Sequence, residues 1–178
     1  MADLIKYRMR TERVVKQVSD GQVDLGDMGV WKTRMYRSVG TEGVHLALFK
    51  GDLDGQPTLV RVQGAPPGWA FLDGDVSRLS ASAKKAMATI EAEGKGALVL
   101  LHLVPPIEAV IQGFRNDFTD EHAPATRAQA EVLRDLGTGC QVLLDLGLRD
   151  LRILSNNKRP IIGLDAYGLR IVETPSLG

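Results

Sequence analysis

The second half of the chain alternates strand-like and helix-like segments, and this alternation constrains the fold more than any other feature. The continuous apolar run Ala97–Leu103 is typical of a strand buried on both faces. It is followed by a helical region within 125–146, a strand at Leu151–Leu154, a helix at Arg159–Tyr167 and a strand at Leu169–Val172. Strands that alternate with helices pair in parallel through right-handed crossovers, so this half predicts βαβ units.

The first half of the chain has the pattern of antiparallel strands. Strand-like runs cover Val30–Tyr36, Val44–Phe49 and Thr58–Val62, and the segment Gly51–Gly55 between the last two indicates a hairpin loop. The Ala-, Lys- and Met-rich stretch Ser80–Glu93 predicts a helix that ends at the glycine after it. The expected fold class is α/β with α+β character in the N-terminal half. We expect a mixed sheet with antiparallel N-terminal strands and parallel C-terminal βαβ units.

The N-terminal segment has a different character. Residues 2–18 carry Asp3 as a candidate N-cap, followed by apolar residues at near-helical spacing among Lys and Arg. A glycine-containing break follows around Gly21. We therefore expect residues 1–21 to be a linker helix from an upstream domain, and residues 22–178 to form the main domain.

Charge and hydropathy exclude several classes of partner. The 22 basic and 22 acidic residues cancel, which argues against a nucleic acid or an anionic membrane surface as the partner. No stretch approaches the roughly 20 apolar residues of a membrane span, and the N-terminus lacks a signal-peptide profile. The expected location is cytoplasmic.

The few cysteines and histidines argue against a disulfide and against a metal site built from these residues. Cys140 is the only cysteine, which excludes an internal disulfide and a cysteine-rich zinc site, and its apolar surroundings favour a buried helical thiol over a nucleophile. His45, His102 and His122 do not have the helical spacing of metal ligands. For His102, within an apolar run, a core or strand-end position is favoured over that of a catalytic base.

A cluster of polar residues follows the predicted strand at 151–154. Ser155, Asn156, Lys158 and Arg159 lie where the carboxyl end of a strand meets the start of a predicted helix. Ligands of open α/β sheets bind at this edge, and hydroxyl, amide and cationic groups suit a phosphate. The alternative is a polar loop with solvated charges, which the residue types by themselves favour.

Two arginines remain open to two interpretations each. Arg61 lies among apolar residues of a strand, where it faces either a pocket at the sheet edge or solvent. Arg134 and Asp135 are either a functional pair or a surface pair on a helix, and the residue types favour the surface pair.

Four segments, in their order and spacing, resemble the GTP cyclohydrolase II family over roughly residues 22–175. They are Val44–Leu53, Leu59–Val62, Ala92–Val99 and Leu146–Asn157, the last continued by Tyr167–Glu173. The resemblance implies the fold of that family and a place in riboflavin biosynthesis. Residues 2–12 are similar to the connection that joins 3,4-dihydroxy-2-butanone 4-phosphate synthase to a C-terminal cyclohydrolase domain. This similarity implies a fused synthase domain as partner.

The zinc site of that family is where this sequence departs from it. The family holds zinc with three cysteines in a C-x10-C-x-C pattern, and the metal activates water for opening the guanine imidazole ring. The corresponding positions here are Pro66, Ser77 and Leu79. Since proline and leucine side chains carry no ligand atom and one serine cannot hold zinc, we expect the family's zinc to be absent and no other cofactor to replace it.

Other residues that the family uses in catalysis are also replaced. Its polar Arg-Gln-Glu-Gly-Arg loop falls on His102–Pro106, its catalytic tyrosine on Asp117 and its proton-accepting aspartate on Val132. The coordinated replacement predicts that this chain does not hydrolyse GTP.

Several anion-binding positions persist. The resemblance assigns Arg61 and Ser155 to the family's phosphate site and Arg134 to the arginine that attacks the α-phosphorus, while Lys158 and Arg159 lie near the aligned phosphate-loop lysine. We expect a catalytically inactive homodimeric module that supports or regulates a fused synthase, with a phosphorylated metabolite or nucleotide as ligand. The alternative is an active nucleotide hydrolase, either a GTP cyclohydrolase II or a metal-independent enzyme that releases pyrophosphate with Arg134 as its catalytic residue.

Overall fold

Seven strands and two helices organise the residues that the structure, a computed structural model, describes: 11–40, 43–64, 79–103, 129–156 and 163–177. The strands are β1 Val15–Asp24, β2 Val30–Ser38, β3 Gly43–Lys50, β4 Thr58–Gly64, β5 Gly96–Leu103, β6 Asp150–Ile153 and β7 Arg170–Glu173. The helices are α1 Ala81–Glu93 and α2 Gln129–Asp145. Short 3₁₀ helices cover Gly26–Met28 and Leu164–Tyr167. Within the described residues, no helix is long and apolar enough to cross a membrane.

All seven strands form one sheet in the order β1-β2-β3-β5-β4-β6-β7. The pairs β1–β2, β2–β3 and β3–β5 are antiparallel. The pairs β5–β4, β4–β6 and β6–β7 are parallel. The predicted mixed sheet, antiparallel in its N-terminal part and parallel in its C-terminal part, is confirmed.

The predicted hairpin between β3 and β4 is wrong. Strand β5 lies between them, with Leu100 opposite Leu46 of β3 and Val99 opposite Val62 of β4. The apolar residues of β5 point to both faces of the sheet, and burying both faces is favourable in the interior of a covered sheet. The loop at Gly51–Gly55 therefore connects two strands that are not neighbours.

The predicted linker helix is corrected over residues 15–21. These residues belong to β1, which pairs along its length with β2, and the predicted boundary between residues 21 and 22 falls inside this strand. The apolar residues of this segment have weak helical periodicity, and pairing with β2 satisfies the backbone groups of a mostly exposed strand. Residues 1–10 lie outside the described part of the chain, so the rest of the linker stays a prediction.

The two helices cover opposite faces of the sheet. Met87 and Ile90 of α1 belong to one core, together with Leu59 of β4. Val142 of α2 belongs to the other core, together with Val60 of β4. Because successive side chains of a strand point to opposite faces, β4 contributes to both cores.

The helix ends follow local signals. The side chain of Ser80 accepts a hydrogen bond from the backbone N–H of Ala83 at the start of α1, and Gly94 ends this helix in the left-handed conformation. The helix predicted at Arg159–Tyr167 is, in its described part, one 3₁₀ turn over Leu164–Tyr167. Residues 157–162 lie outside the described residues.

Candidate functional site

The carboxyl end of β4 is the point where the connections of the sheet change face. Strand β4 connects to its neighbour β5 through α1 on one face, and β5 connects to β6, the other neighbour of β4, through α2 on the opposite face. Two crossovers that leave on opposite faces open a crevice beyond the strand ends, where open α/β sheets bind ligands. The topology therefore predicts a candidate site at the carboxyl end of β4.

A pocket of about 120 Å³ lies at this point. Its polar wall consists of Arg61 from β4, Asp135 from α2 and Ser155 after β6. Gly139 and Cys140 of α2 also line the pocket, together with several apolar side chains. Ligand sites for drug-sized molecules have volumes of about 300 Å³ or more, so this pocket suits a small group such as one phosphate.

Arg61 is the one cation among the described residues that line this pocket. Its Nη1 donates a 3.0 Å hydrogen bond to the carbonyl of Leu154, and its Nε donates a 3.2 Å hydrogen bond to Oε1 of Gln63. Both acceptors are neutral, and among the described residues no carboxylate pairs with this guanidinium. Burial lowers the pKa of Arg61, although an arginine stays charged at neutral pH. A partly desolvated cation whose hydrogen-bond partners are neutral attracts an anion strongly.

Gln63, the hydrogen-bond partner of Arg61 Nε, belongs to a network of polar side chains. Gln63 Nε2 donates to Ser80 Oγ at 2.9 Å, and Ser82 Oγ donates to Gln63 Oε1 at 3.2 Å. Ser80 is the N-cap of α1 and accepts from the backbone of Ala83 at 3.2 Å. The network therefore links the end of β4 to the first turn of α1.

Of the residues after β6, Ser155 lines the pocket and Asn156 binds the C-terminal segment. Ser155 lines the pocket, and its backbone N–H donates to the carbonyl of Pro175 at 3.2 Å. Asn156 uses its Oδ1 to accept from Leu177 N at 2.9 Å and from Ser176 Oγ at 3.2 Å. This oxygen therefore holds the C-terminal segment, and the structure does not bring Asn156 into the pocket wall. Lys158 and Arg159 lie outside the described residues.

Helix α2 carries the predicted pair Arg134 and Asp135. Asp135 lines the pocket and is half-buried, which places this carboxylate at the site and not on an open surface. Arg134 precedes it on the same helix, and its side chain lies outside the described part of the structure. The pocket wall therefore carries charges of both signs, and the carboxylate of Asp135 repels an anionic ligand.

Of the three positions that the sequence resemblance assigns to the family's zinc cysteines, Leu79 is the one among the described residues. Leu79 is buried in the core under α1, packed with apolar side chains, and it has no atom that binds zinc. Pro66 and Ser77 lie outside the described residues, as do Asp117 and most of the loop at His102–Pro106.

The single cysteine, Cys140, lies in the core between α2 and the sheet. Cys140 is buried on α2, as predicted, and burial raises the pKa of its thiol to about 12. A zinc ligand or a nucleophile must be a thiolate. At neutral pH, Cys140 is a neutral thiol that contributes packing to the pocket wall.

The described histidines lie on β3 and β5. His45 is fully buried, and its Nε2 lies 2.8 Å from the hydroxyl of Ser38. Burial, and then the charge of His102, lowers the pKa of His45 to about 4, so its ring is neutral at neutral pH. His102 is the second-last residue of β5, in agreement with a strand-end position. His122 lies outside the described residues.

Sequence reasoning missed Gln63, Ser80 and Ser82 as residues of the site. A weak signal existed for two of them. Gln63 follows Arg61 by two residues and so shares its face of β4, and Ser80 stands directly before an Ala-rich helix. Nothing in the local pattern indicates that these two segments, 17 residues apart, are joined by a hydrogen bond.

Comparisons with known proteins agree with this fold. The sequence matches the GTP cyclohydrolase II family over residues 16–176. The riboflavin biosynthesis protein RibBA of Aquifex aeolicus is 33% identical over 186 residues, which cover 97% of this chain and 44% of that protein. RibBA of Bacillus cereus is 35% identical over 189 residues, which cover 96% of this chain and 45% of that protein.

A solved structure is also similar. RibBX, a two-domain 3,4-dihydroxy-2-butanone 4-phosphate synthase from A. baumannii, superposes with a TM-score of 0.58 at 25% identity and covers 97% of this chain and 43% of its own. The chain thus spans less than half the length of these relatives. Because the family match extends over most of the chain and the relatives exceed 30% identity, the chain belongs to the GTP cyclohydrolase II family.

Proposed function

We propose that this chain is a GTP cyclohydrolase II-like module of riboflavin biosynthesis that has lost hydrolysis of GTP and binds a phosphorylated metabolite. In this proposal it forms a homodimer and regulates or supports a 3,4-dihydroxy-2-butanone 4-phosphate synthase domain fused to it. The observation that carries the proposal is that Arg61, whose guanidinium has only neutral hydrogen-bond partners among the described residues, lines a small pocket at the carboxyl ends of β4 and β6.

The pocket supports an anion with one charged contact and several polar ones. Arg61 supplies the charge, and Ser155 supplies a hydroxyl and lies at the end of β6. A guanidinium donates up to five N–H bonds, and the two that it makes to Leu154 and Gln63 leave donors for an oxyanion. Lys158, Arg159 and Asn156 are further candidates from the sequence, on the same segment as Ser155.

The replacement of metal ligands supports the loss of hydrolysis. Ring opening in the family needs zinc-activated water, and a buried leucine occupies one of the three ligand positions here. The only cysteine of the chain is a buried thiol on α2. We therefore propose that no zinc binds.

The relatives support the fused partner. RibBA proteins and the two-domain synthase RibBX are each more than twice as long as the segment that matches this chain. The product in the name of RibBX, 3,4-dihydroxy-2-butanone 4-phosphate, carries a phosphate, and a phosphate pocket on an attached module is suited to sense such a metabolite.

The binding proposal is tested with inorganic phosphate, ribulose 5-phosphate, flavin mononucleotide and GTP in thermal-shift and calorimetric titrations. A ligand at 100 times its dissociation constant stabilises the folded state by about 2.7 kcal/mol, a shift of roughly 5–10 °C for a domain of this size. Arg61→Gln should abolish the shift. Arg170→Gln, which changes an exposed arginine on β7, should keep it. No shift with any of these ligands contradicts the proposal.

The loss of hydrolysis is tested by metal analysis and product assays. Purified protein should contain no stoichiometric zinc and release no formate from GTP. Stoichiometric zinc together with formate release contradicts the proposal. Release of pyrophosphate that Arg134→Ala abolishes supports the alternative, a metal-independent nucleotide hydrolase.

The homodimer and the regulation of a fused synthase are tested separately, by mass and by synthase activity. Sedimentation equilibrium should give twice the mass of the chain, and synthase activity of the fused protein should respond to the ligand found above. In the fused protein, Arg61→Gln should remove that response while leaving the unliganded activity unchanged. A monomer, or a response that survives Arg61→Gln, contradicts this part of the proposal.

A further inference from the structure

We infer that Gln63 is a positioning residue that fixes the guanidinium of Arg61, a residue of the pocket wall, without neutralising it. The inference deepens the proposed function and rests on it, since Arg61 must be the anion-binding group. It goes beyond the pocket itself, because Gln63 does not line the pocket and acts through a neighbour.

The orientation of the Gln63 amide is determined by its partners. Arg61 Nε is a donor only, so the atom that faces it at 3.2 Å must be the acceptor Oε1. The other atom, Nε2, then donates to Ser80 Oγ at 2.9 Å. An amide turned by 180° would place two donors against each other, so one orientation is favoured.

The hydroxyl groups complete one consistent set of hydrogen bonds. Ser80 Oγ accepts from Gln63 Nε2 and from the backbone N–H of Ala83, so its own hydrogen points to Ser82 Oγ at 3.0 Å. Ser82 Oγ then donates to Gln63 Oε1 at 3.2 Å. Both heavy atoms of the Gln63 amide thus have partners, Nε2 through one of its two N–H groups, and these bonds favour one position of the side chain.

The position of Gln63 decides the direction of Arg61. The guanidinium is held at Nε by Gln63 and at Nη1 by the carbonyl of Leu154. These acceptors come from β4 and from the end of β6, so they define the plane of the group. Both acceptors are uncharged, so the positive charge stays available to a ligand. A glutamate at position 63 would have nearly the same shape but would pair with Arg61 and neutralise it.

Two substitutions separate positioning from simple packing. Gln63→Leu keeps the approximate volume and removes the hydrogen bonds, and we expect it to weaken binding of sulfate and inorganic phosphate about tenfold. Gln63→Glu keeps the shape and adds a charge, and it should weaken binding at least as much as Arg61→Gln. Gln22→Leu on the exposed strand β1 is the matched control and should bind as the unchanged protein does.

A spectroscopic measurement reports on Arg61 directly. The Nε–H signal of Arg61 in NMR spectra, assigned by its loss in Arg61→Lys, should shift and exchange faster with solvent in Gln63→Leu. If Gln63→Leu fails to fold, Gln63→Glu provides the same comparison, with a shift toward the signal of a carboxylate-paired arginine.

The outcomes distinguish this inference from the proposed function. If Arg61→Gln binds phosphate as well as the unchanged protein, the proposed function fails. If Arg61→Gln loses binding but both Gln63 variants keep the affinity and the Arg61 signal of the unchanged protein, only the positioning inference is overturned. Loss of affinity with a changed Arg61 signal in the Gln63 variants supports it.

Discussion

The hydroxyl of Tyr36 donates a 2.7 Å hydrogen bond to the carboxylate of Asp145, which is 109 residues away at the end of α2. Tyr36 is fully buried on β2, and its burial and this hydrogen bond raise its pKa. Arg34 on the same strand donates to the same carboxylate at 3.3 Å. The antiparallel half of the sheet is thus attached to the helix that forms the pocket wall.

Removing that hydroxyl should destabilise the fold. We expect Tyr36→Phe to lower the free energy of unfolding by about 1.5 kcal/mol, because a charged acceptor loses a donor. Chemical denaturation measures the change. Tyr167→Phe is the control, since the Tyr167 hydroxyl has no hydrogen-bond partner among the described residues. An equal effect of both substitutions would contradict the assignment.

Gln141 on α2 holds the segment that enters β1. Its Oε1 accepts from the backbone N–H of Val14 at 2.7 Å, and its Nε2 donates to the carbonyl of Glu12. Gln141→Leu should increase hydrogen exchange of the Val14 amide and lower the free energy of unfolding by about 1 kcal/mol. Exchange in α1 serves as the internal control. Unchanged protection of the Val14 amide would show that this side chain is dispensable.

His45 should make stability depend on pH in the acid range. Its folded-state pKa of about 4 lies below the ordinary 6.5, so the unfolded chain takes up the proton first. The stabilising contribution is present above pH 6.5 and is lost as the pH falls toward 4. Denaturation at several pH values should therefore show a steeper decline for the unchanged protein than for His45→Gln. Parallel declines would mean that His45 does not titrate in this way.

The carboxylate of Asp135 should weaken anion binding in the pocket wall. We expect Asp135→Asn to bind inorganic phosphate at least about threefold more tightly, because the substitution removes a negative charge from a partly desolvated site. Calorimetric titration measures the affinity. Asp165→Asn, at an exposed position, should leave the affinity unchanged. Weaker binding by Asp135→Asn would mean that this carboxylate instead orients the cations of the site.

Local signals in the sequence determined several elements of this protein, such as α1 and β5. Ser80 and Gly94 bracket α1 because a cap needs only groups within one helical turn. The apolar run of β5 predicted a buried strand because its composition suits two covered faces. The retained Arg61 also indicated the candidate site, although its surroundings allowed either a pocket or solvent.

Only the tertiary structure decided how these elements meet. Strand β5 enters between β3 and β4, and residues 15–21 join the sheet, because strand pairing depends on partners far away along the chain. Contacts at the candidate functional site also depend on partners far away along the chain. Gln63 meets Ser80, and Asn156 holds Leu177, through hydrogen bonds that exist only once the strands and helices are packed. Sequence periodicity reports which face of an element is buried, while its neighbours are selected by long-range burial and hydrogen bonding.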